Sequence, residues 1–431
     1  MQRLKNVMKG MLVNPIAEKI SKLSARIQWG REMGYYFYLQ PVKNLGGERV
    51  LVEGRGEMLM FSSFDYLGLF GHPKINAAAQ TAIAELGTCT YGSRILAGTL
   101  RLHNELEEEI AAFKGAEAAI VFSSGYVTNL ATISTLVSRG DVVICDKLNH
   151  ASIVDGCILS RAKFVRFKHN DMADLEKCLS EAGPDVGKLV VVEAVFSMDG
   201  DIINLPEVHR LCRKYGALLM VDEAHSMGVL GKTGHGIEEH FGMKNAVDIH
   251  MGTLGKAIPS VGGYIAAHHD TIMYLKHVAR AFVFSVALAP AAAAAAKAAF
   301  EVMKEEPERL AVLQRNIKHF LTGLKARGFD TMQSETAIVP IVCGKDEKTL
   351  MMTKFAQGKG LFIMPILSPA VPPGTSRIRA TVTAAHRDED ITRALDILEA
   401  AGKEMRVIRR TPRTPKEHAM TEPQTTMAGQ Q

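Results

Sequence analysis

No apolar run in the sequence approaches the roughly 18 to 20 residues that a membrane-crossing helix needs, and the N-terminus lacks the uninterrupted apolar segment of a secretion signal. The expected location is therefore the cytoplasm. Paired cysteine spacing is also absent. The six cysteines, at positions 89, 145, 157, 178, 212 and 343, form no C-x-x-C, so neither a zinc site nor a disulfide framework is suggested, and no metal is expected. Charge of one sign is scarce over most of the chain: the net +5 gathers at the ends, where residues 1–31 and 402–431 together contribute +9 and leave the body at about −4. That removes the basic surface on which nucleic-acid binding depends. There is no internal repeat of roughly 20 to 50 residues, which argues against a solenoid or propeller.

What is present is an ordinary globular composition, 47% hydrophobic over 431 residues, long enough for two or three domains at about 150 residues each. From Pro15 a basic amphipathic helix places Ile16, Ile20, Leu23 and Ile27 on one face. It is expected to pack on the body or on a partner subunit, with adsorption to an anionic membrane surface as the alternative. From about Arg406 the chain is rich in Thr, Pro, Gln and Arg, and a disordered basic tail (406–431) is expected.

Between about residues 60 and 290, short apolar runs alternate with helical stretches, the mark of a mostly parallel α/β sheet. Five runs, Ala118–Phe122, Val142–Cys145, Leu189–Val192, Ala217–Val221 and Val247–Met251, are each followed at once by polar or glycine residues. Ligands of open α/β sheets gather at the carboxyl ends of strands, so chemistry is expected there. Beyond an alanine-rich helix from Ala291 and a long helix over Leu310–Arg327, the pieces Ala337–Val342, Leu361–Pro365 and Arg377–Thr383 read as strands beside a helix from Glu389 to Ala401. The expected division is an arm (1–60), a large domain (61–290) and a smaller α+β C-terminal domain (291–405).

Lys256 follows the run Val247–Met251 in a Gly-Thr-x-Gly-Lys-Ala turn. An imine-forming lysine must be partly desolvated, and flanking glycines let backbone approach a cofactor. Alone, a Gly-Lys pair reads as a solvated turn, although the spacing excludes a Walker phosphate loop. Asp222-Glu-Ala-His225 follows a buried run, and a carboxylate there can keep a pyridine nitrogen protonated; alone it could be a helix cap. His150 could stack on an aromatic cofactor or be structural. Ser123-Ser124-Gly125-Tyr126 opens a helical stretch whose N–H groups suit a phosphate, or form an ordinary cap. All four features fall at strand ends. Together they supply an imine lysine, a pyridinium partner, a stacking ring and a phosphate cradle.

From about Tyr35 to Ala401 the sequence resembles the α-oxoamine synthases, fold-type I pyridoxal-phosphate enzymes. The motifs that carry the resemblance include Asp65-Tyr66-Leu-Gly-Leu, Tyr91-Gly-Ser-Arg94, Asn149-His150-Ala-Ser152, Phe196-Ser197-Met-Asp-Gly-Asp201, Asp222-Glu-Ala-His225, Gly252-Thr-Leu-Gly-Lys256, Phe284-Ser285, and Arg377-Ile-Arg379 before Thr383-Ala-Ala-His386. The resemblance implies a seven-stranded sheet, pyridoxal 5'-phosphate, and a homodimer with shared active sites.

It further implies roles by position. Lys256 would be the Schiff-base lysine and later the base at the substrate Cα, with Asp222 on the ring nitrogen and His150 on the ring face. Ser197 and His225 would approach O3′. Ser124, Gly125, Tyr126 and Thr253 would hold the phosphate, joined by Ser285 from the neighbouring subunit. Arg379 would clamp the amino-acid carboxylate, and Asp65 and Tyr66 would meet substrate.

The implied reaction is a decarboxylative condensation of an amino acid with an acyl thioester on coenzyme A or a carrier protein. Gly255 follows the short-chain branch, where serine palmitoyltransferases commonly have serine. Ser260-Val261-Gly262-Gly263 and the Gly34–Pro41 segment look like the long-chain branch, and Ala194 replaces the usual glycine after Glu193. The balance favours a medium or long acyl chain with serine, alanine or glycine. A short-chain synthase and a fold-type I aminotransferase are the alternatives.

Overall fold

A computed structural model describes residues 14–408. The arm begins with the helix Pro15–Glu32, whose first turn is closed by the Asn14 side chain accepting from the Ile16 amide at 2.9 Å. Three short strands follow, β1 (Val42–Gly46), β2 (Arg49–Val52) and β3 (Gly56–Met60), paired antiparallel in order. Among the described residues little covers the start of the expected apolar face, where Ile16 is 66% and Ile20 62% exposed, while Ile27 is half-buried. Among the described residues no helix is long and apolar enough to cross a membrane.

The centre is a seven-stranded sheet built from β4 (Ala118–Phe122), β5 (Val142–Asp146), β6 (Lys163–Phe167), β7 (Lys188–Glu193), β8 (Leu218–Asp222), β9 (Ile249–Gly255) and β10 (Pro259–Ala267), in spatial order β4-β10-β9-β8-β7-β5-β6. Only β10 runs against the rest, so the carboxyl ends of β4, β5, β7, β8 and β9 share one edge. Side chains alternate across a strand, and here both faces are buried. Ile144, Val190, Val192, Leu219 and Val221 enter one core, while Val143, Val191, Met220, Ile249 and Met251 enter the other.

The expected run Ala118–Phe122 coincides with β4, and the other four fall on β5, β7, β8 and β9 with shifted ends. The largest shift is at β9, where Gly252–Gly255 is strand and not turn. Its partner β10 supplies the pairing, with Tyr264 opposite Gly252. A Cβ on Gly252 would lie 2.3 Å from the Tyr264 ring, so only glycine lets the two strands close.

Downstream, the helix Pro290–Glu305, six of whose alanines are buried, packs on the helix Pro73–Leu86. The C-terminal part holds β11 (Ile338–Gly344), β12 (Leu361–Phe362), β13 (Met364–Ile366) and β14 (Ser376–Thr381). The strand expected over Leu361–Pro365 breaks at Ile363. β12 pairs parallel with β3 of the arm, whereas β13 joins β14 and β11. The chain stays packed through Ile408, beyond the expected start of the tail at Arg406; residues 409–431 of that tail lie outside the described residues.

Candidate active site

Along the shared strand edge opens a cavity of about 430 Å³ lined by residues from every one of those strand ends, including Gly125, His150, Glu193, Asp222 and Lys256. Lys256 directly follows β9, and its Nζ lies 2.8 Å from His225 Nε2. Burial holds the Lys256 ammonium down to about 8, against the opposing pull of Asp222 and Glu193. His225 is pushed well below the ordinary imidazole range, first by burial and then by the cations of Lys256 and Arg379. A lysine in its ammonium form can only donate, so Nε2 of the neutral ring accepts. Nδ1–H is then the donor to the Tyr66 hydroxyl, 2.6 Å away.

Asp222 ends β8. One of its oxygens accepts from the Ala224 amide at 2.9 Å and the other from Asn129 Nδ2 at 2.7 Å. Asn129 sits one turn into the helix Gly125–Leu136, and the same Nδ2 also donates to Ser152 Oγ at 3.0 Å. That helix starts at the cavity. Ser124 is its cap, accepting from the Val127 amide at 3.2 Å, so the amides of Gly125 and Tyr126 stay available to an anion. A Cβ on Gly125 would come within 3.0 Å of Thr253 Oγ1, which is why the helix can approach β9 so closely.

His150 stands on the cavity wall with its imidazole pulled down by burial, and hence neutral. Its amide donates to Glu193, whose own carboxyl is raised well above the usual range by burial and by the Asp222 charge. The opposite wall comes from the C-terminal part. Arg379, on β14 and 8% exposed, donates through Nε to the Ser197 carbonyl at 2.6 Å and through Nη1 to Thr381 Oγ1 at 3.2 Å. Among the described residues it has no carboxylate partner. Lys256 Nζ and Arg379 Cζ lie 5.5 and 5.3 Å from the centre of the Phe64 ring, which places them within about 11 Å of each other.

The donor set fits a phosphorylated pyridine aldehyde: an amine with a lowered pKa, a carboxylate with open lone pairs, a neutral flat ring and a helix N-terminus. Of the residues expected from sequence, His150, Asp222, His225, Lys256, Gly125, Tyr126, Ser197, Thr253 and Arg379 meet at this cavity. Ser124 caps the helix behind it. Asp65 does not reach the wall: its carboxylate accepts from the Leu69 and Phe70 amides at 2.6 and 2.9 Å, because the turn around Gly68 leaves those buried donors without another partner. Tyr66 is fully buried; its hydroxyl meets His225 and also interacts with Arg379, so it stands behind two residues of the wall. Ser285 is not on this wall; it lies beside Phe284, which is 77% exposed.

Sequence reasoning passed over Asn129, Phe64 and the role of Glu193. Glu193 carried a readable signal as the last residue of a buried run. Asn129 carried only its spacing, one turn after Gly125.

Residues 56–398 match the family model for aminotransferase class I and II. The chain is 46% identical over 389 residues to an 8-amino-7-oxononanoate synthase of Geobacter sulfurreducens, covering 90% of this chain and 99% of the relative. It is 44% identical over 370 residues to a serine palmitoyltransferase of Bacteroides ovatus, covering 86% and 94%. A solved serine palmitoyltransferase of S. paucimobilis, a lysine variant with a bound PLP–myriocin aldimine, superposes with a TM-score of 0.87 at 34% identity, covering 91% of this chain and 99% of that one.

Proposed function

The chain belongs to the class I and II aminotransferase family, among its α-oxoamine synthases, whose cofactor is pyridoxal 5'-phosphate, and from that premise we propose that it condenses serine, alanine or glycine with a medium- or long-chain acyl thioester. Carbon dioxide, the free thiol and an α-amino ketone are released. The observation that carries this reading is Arg379, a buried guanidinium without a carboxylate partner among the described residues, on the wall opposite Lys256. Burying a charge unpaired is costly, and a substrate carboxylate offsets that cost with two parallel hydrogen bonds.

When bound, the cofactor supplies an electron sink for negative charge at the substrate Cα. Lys256 would hold it and would serve as the base for the substrate's Cα proton. A pKa near 8 suits both duties close to neutral pH. His225 Nε2 aims the amine, and Tyr66 fixes the His225 ring. Asp222, oriented by Asn129, would face the ring nitrogen, and burial beside Asp222 raises the Glu193 carboxyl well above its usual range. Arg379, by fixing the carboxylate, selects which Cα bond is aligned for cleavage. Gly125, Tyr126 and Thr253 would hold the phosphate, and His150 would cover the ring face.

We further infer a homodimer in which Ser285 reaches the partner's phosphate site, and a division into an arm (1–60), a large domain (61–290) and a small domain (291–405). The test is to incubate holoenzyme with each amino acid and acyl-coenzyme A of graded length while following free thiol. Thiol release is expected to need both substrates and to fall at least about 10³-fold in Lys256→Ala, which also loses the near-visible absorbance of lysine-bound cofactor. Keto-acid exchange without thiol release at any chain length would instead identify an aminotransferase.

A further inference from the structure

Phe64 is 41% exposed, although Asp65 and Tyr66 directly after it are buried. The segment that carries it is pinned. The Asp65 amide donates to Ser63 Oγ at 3.0 Å, the Tyr66 amide donates to the Phe64 carbonyl at 2.8 Å, and the Asp65 carboxylate is taken up by the Leu69 and Phe70 amides. Asp65 and Tyr66 therefore turn inward, and the Phe64 ring is left on the wall of the catalytic cavity.

Lys256 Nζ and Arg379 Cζ both stand over this ring, and the His225 ring meets it at 65° with centres 6.1 Å apart. An amino acid held with its amine beside Lys256 and its carboxylate on Arg379 carries its Cα across the face of Phe64. Met364 is the cross-strand partner of Arg379 and lines the same cavity; side chains paired across strands share a face. The substituent on Cα is thus met by an aromatic ring and a thioether, neither of which offers a strong hydrogen bond. The nearby Ser62 hydroxyl is buried, out of contact with the cavity.

We propose that Phe64 selects the amino acid: its ring receives the substituent on Cα and favours alanine over serine and glycine. The assignment rests on the condensation reading above and narrows it to one amino acid. A hydroxyl laid on the ring loses water without gaining a partner, which lowers kcat/KM for serine about 10- to 100-fold relative to alanine. A methyl covered there gains up to about fourfold over the hydrogen of glycine. The ring also attracts the Arg379 cation, so a change at Phe64 weakens every amino acid together, and the ratio between amino acids isolates the selectivity.

Holoenzyme without thioester is titrated with alanine, serine and glycine, and its near-visible absorbance gives a Kd for each; kcat/KM with octanoyl-coenzyme A follows. Alanine is expected to bind at least about fivefold more tightly than serine. Phe64→Asn, which sets an amide donor and acceptor where the ring was, should lower the alanine-to-serine ratio at least about fivefold, whereas the apolar Phe64→Leu keeps it within about twofold. Serine or glycine binding as tightly as alanine in wild type would overturn the assignment, and so would equal changes of the ratio in Phe64→Asn and Phe64→Leu. A serine preference that disappears in Ser197→Ala would overturn it by placing the hydroxyl on the other side of the cavity. If no thiol is released while the absorbance still prefers alanine and that preference falls in Phe64→Asn, the condensation reading fails and the role of Phe64 stands. If thiol is released without any preference among the three, the role of Phe64 alone fails.

Discussion

Asp222 and Arg379 are buried charges on facing walls of one cavity, but the regions that carry them differ. Asp222 ends a central strand of the seven-stranded sheet, and two hydrogen bonds fix its carboxylate, one from the Ala224 amide in the turn that follows and one from Asn129 on the helix docked against the sheet. Arg379 sits on β14 of a three-stranded sheet and is steadied across the gap by the carbonyl of Ser197, a residue of the loop after β7. The neighbouring Arg377 pairs with Asp199 of the same loop. The cofactor side is thus assembled from the seven-stranded sheet and the helix packed directly on it, as a permanent resident requires. The substrate side is assembled between two layers, and its main cation keeps donors for a partner that comes and goes.

The largest effect that would break this contrast is expected at Arg379. Arg379→Lys keeps the charge but loses the planar fork, and hydrogen bonds to charged groups are each worth about 1.5–3 kcal/mol. KM for the amino acid should rise roughly 10- to 100-fold, with a much smaller change in KM for the acyl thioester. Steady-state kinetics with one substrate varied at a time settles it. An unchanged amino-acid KM would mean that the carboxylate is held elsewhere.

On the cofactor side the matching change is Asn129→Ala, which leaves Asp222 charged but frees one oxygen. Loss of one such bond at about 1–2 kcal/mol should lower kcat about tenfold and leave the amino-acid KM nearly unchanged. A rise in KM without a fall in kcat would place Asn129 on the substrate side and erase the distinction between the two walls.

The same contrast explains what could be read from the sequence. Strand ends were legible because each buried run stops at a polar or glycine residue, and that pattern alone puts His150, Asp222 and Lys256 at one edge. Asn129 was not, because its link to Asp222 spans 93 residues and depends on how a helix docks. β6 was missed because Lys163 and Arg166 interrupt its apolar pattern at the sheet edge. β10 was missed as well, and with it the pairing that turns Gly252–Gly255 into strand. Asp65 was placed at the substrate for its motif, although a buried turn needed its carboxylate more. Arg379 was readable only through the motif, since nothing local distinguishes it from any strand arginine.

The smallest effect is expected where the two walls are tied together. His169 lies between Asp146, at the end of β5, and Asp201, with Nδ1 3.0 Å from the first and Nε2 3.0 Å from the second. Asp201 closes the loop that carries Ser197, and the edge of the His169 ring packs on Phe196 at 4.4 Å between centres. Burial disfavours the charged ring, but the hydrogen bonds and charges of Asp146 and Asp201 outweigh it and lift the imidazole from 6.5 to about 10. Because the folded-state pKa is the higher one, this clamp stabilises the fold fully below pH 6.5, and its contribution is lost as pH rises through about 10. His169→Gln should therefore lower Tm most below pH 6.5, with the gap to wild type closing toward pH 10. In the same window its amino-acid KM should rise a few-fold at constant cofactor absorbance, because a looser loop lets the Ser197 carbonyl and Arg379 drift together. A Tm gap independent of pH would show that His169 acts by packing alone. A loss of cofactor absorbance would show that the loop serves the cofactor wall as much as the substrate wall.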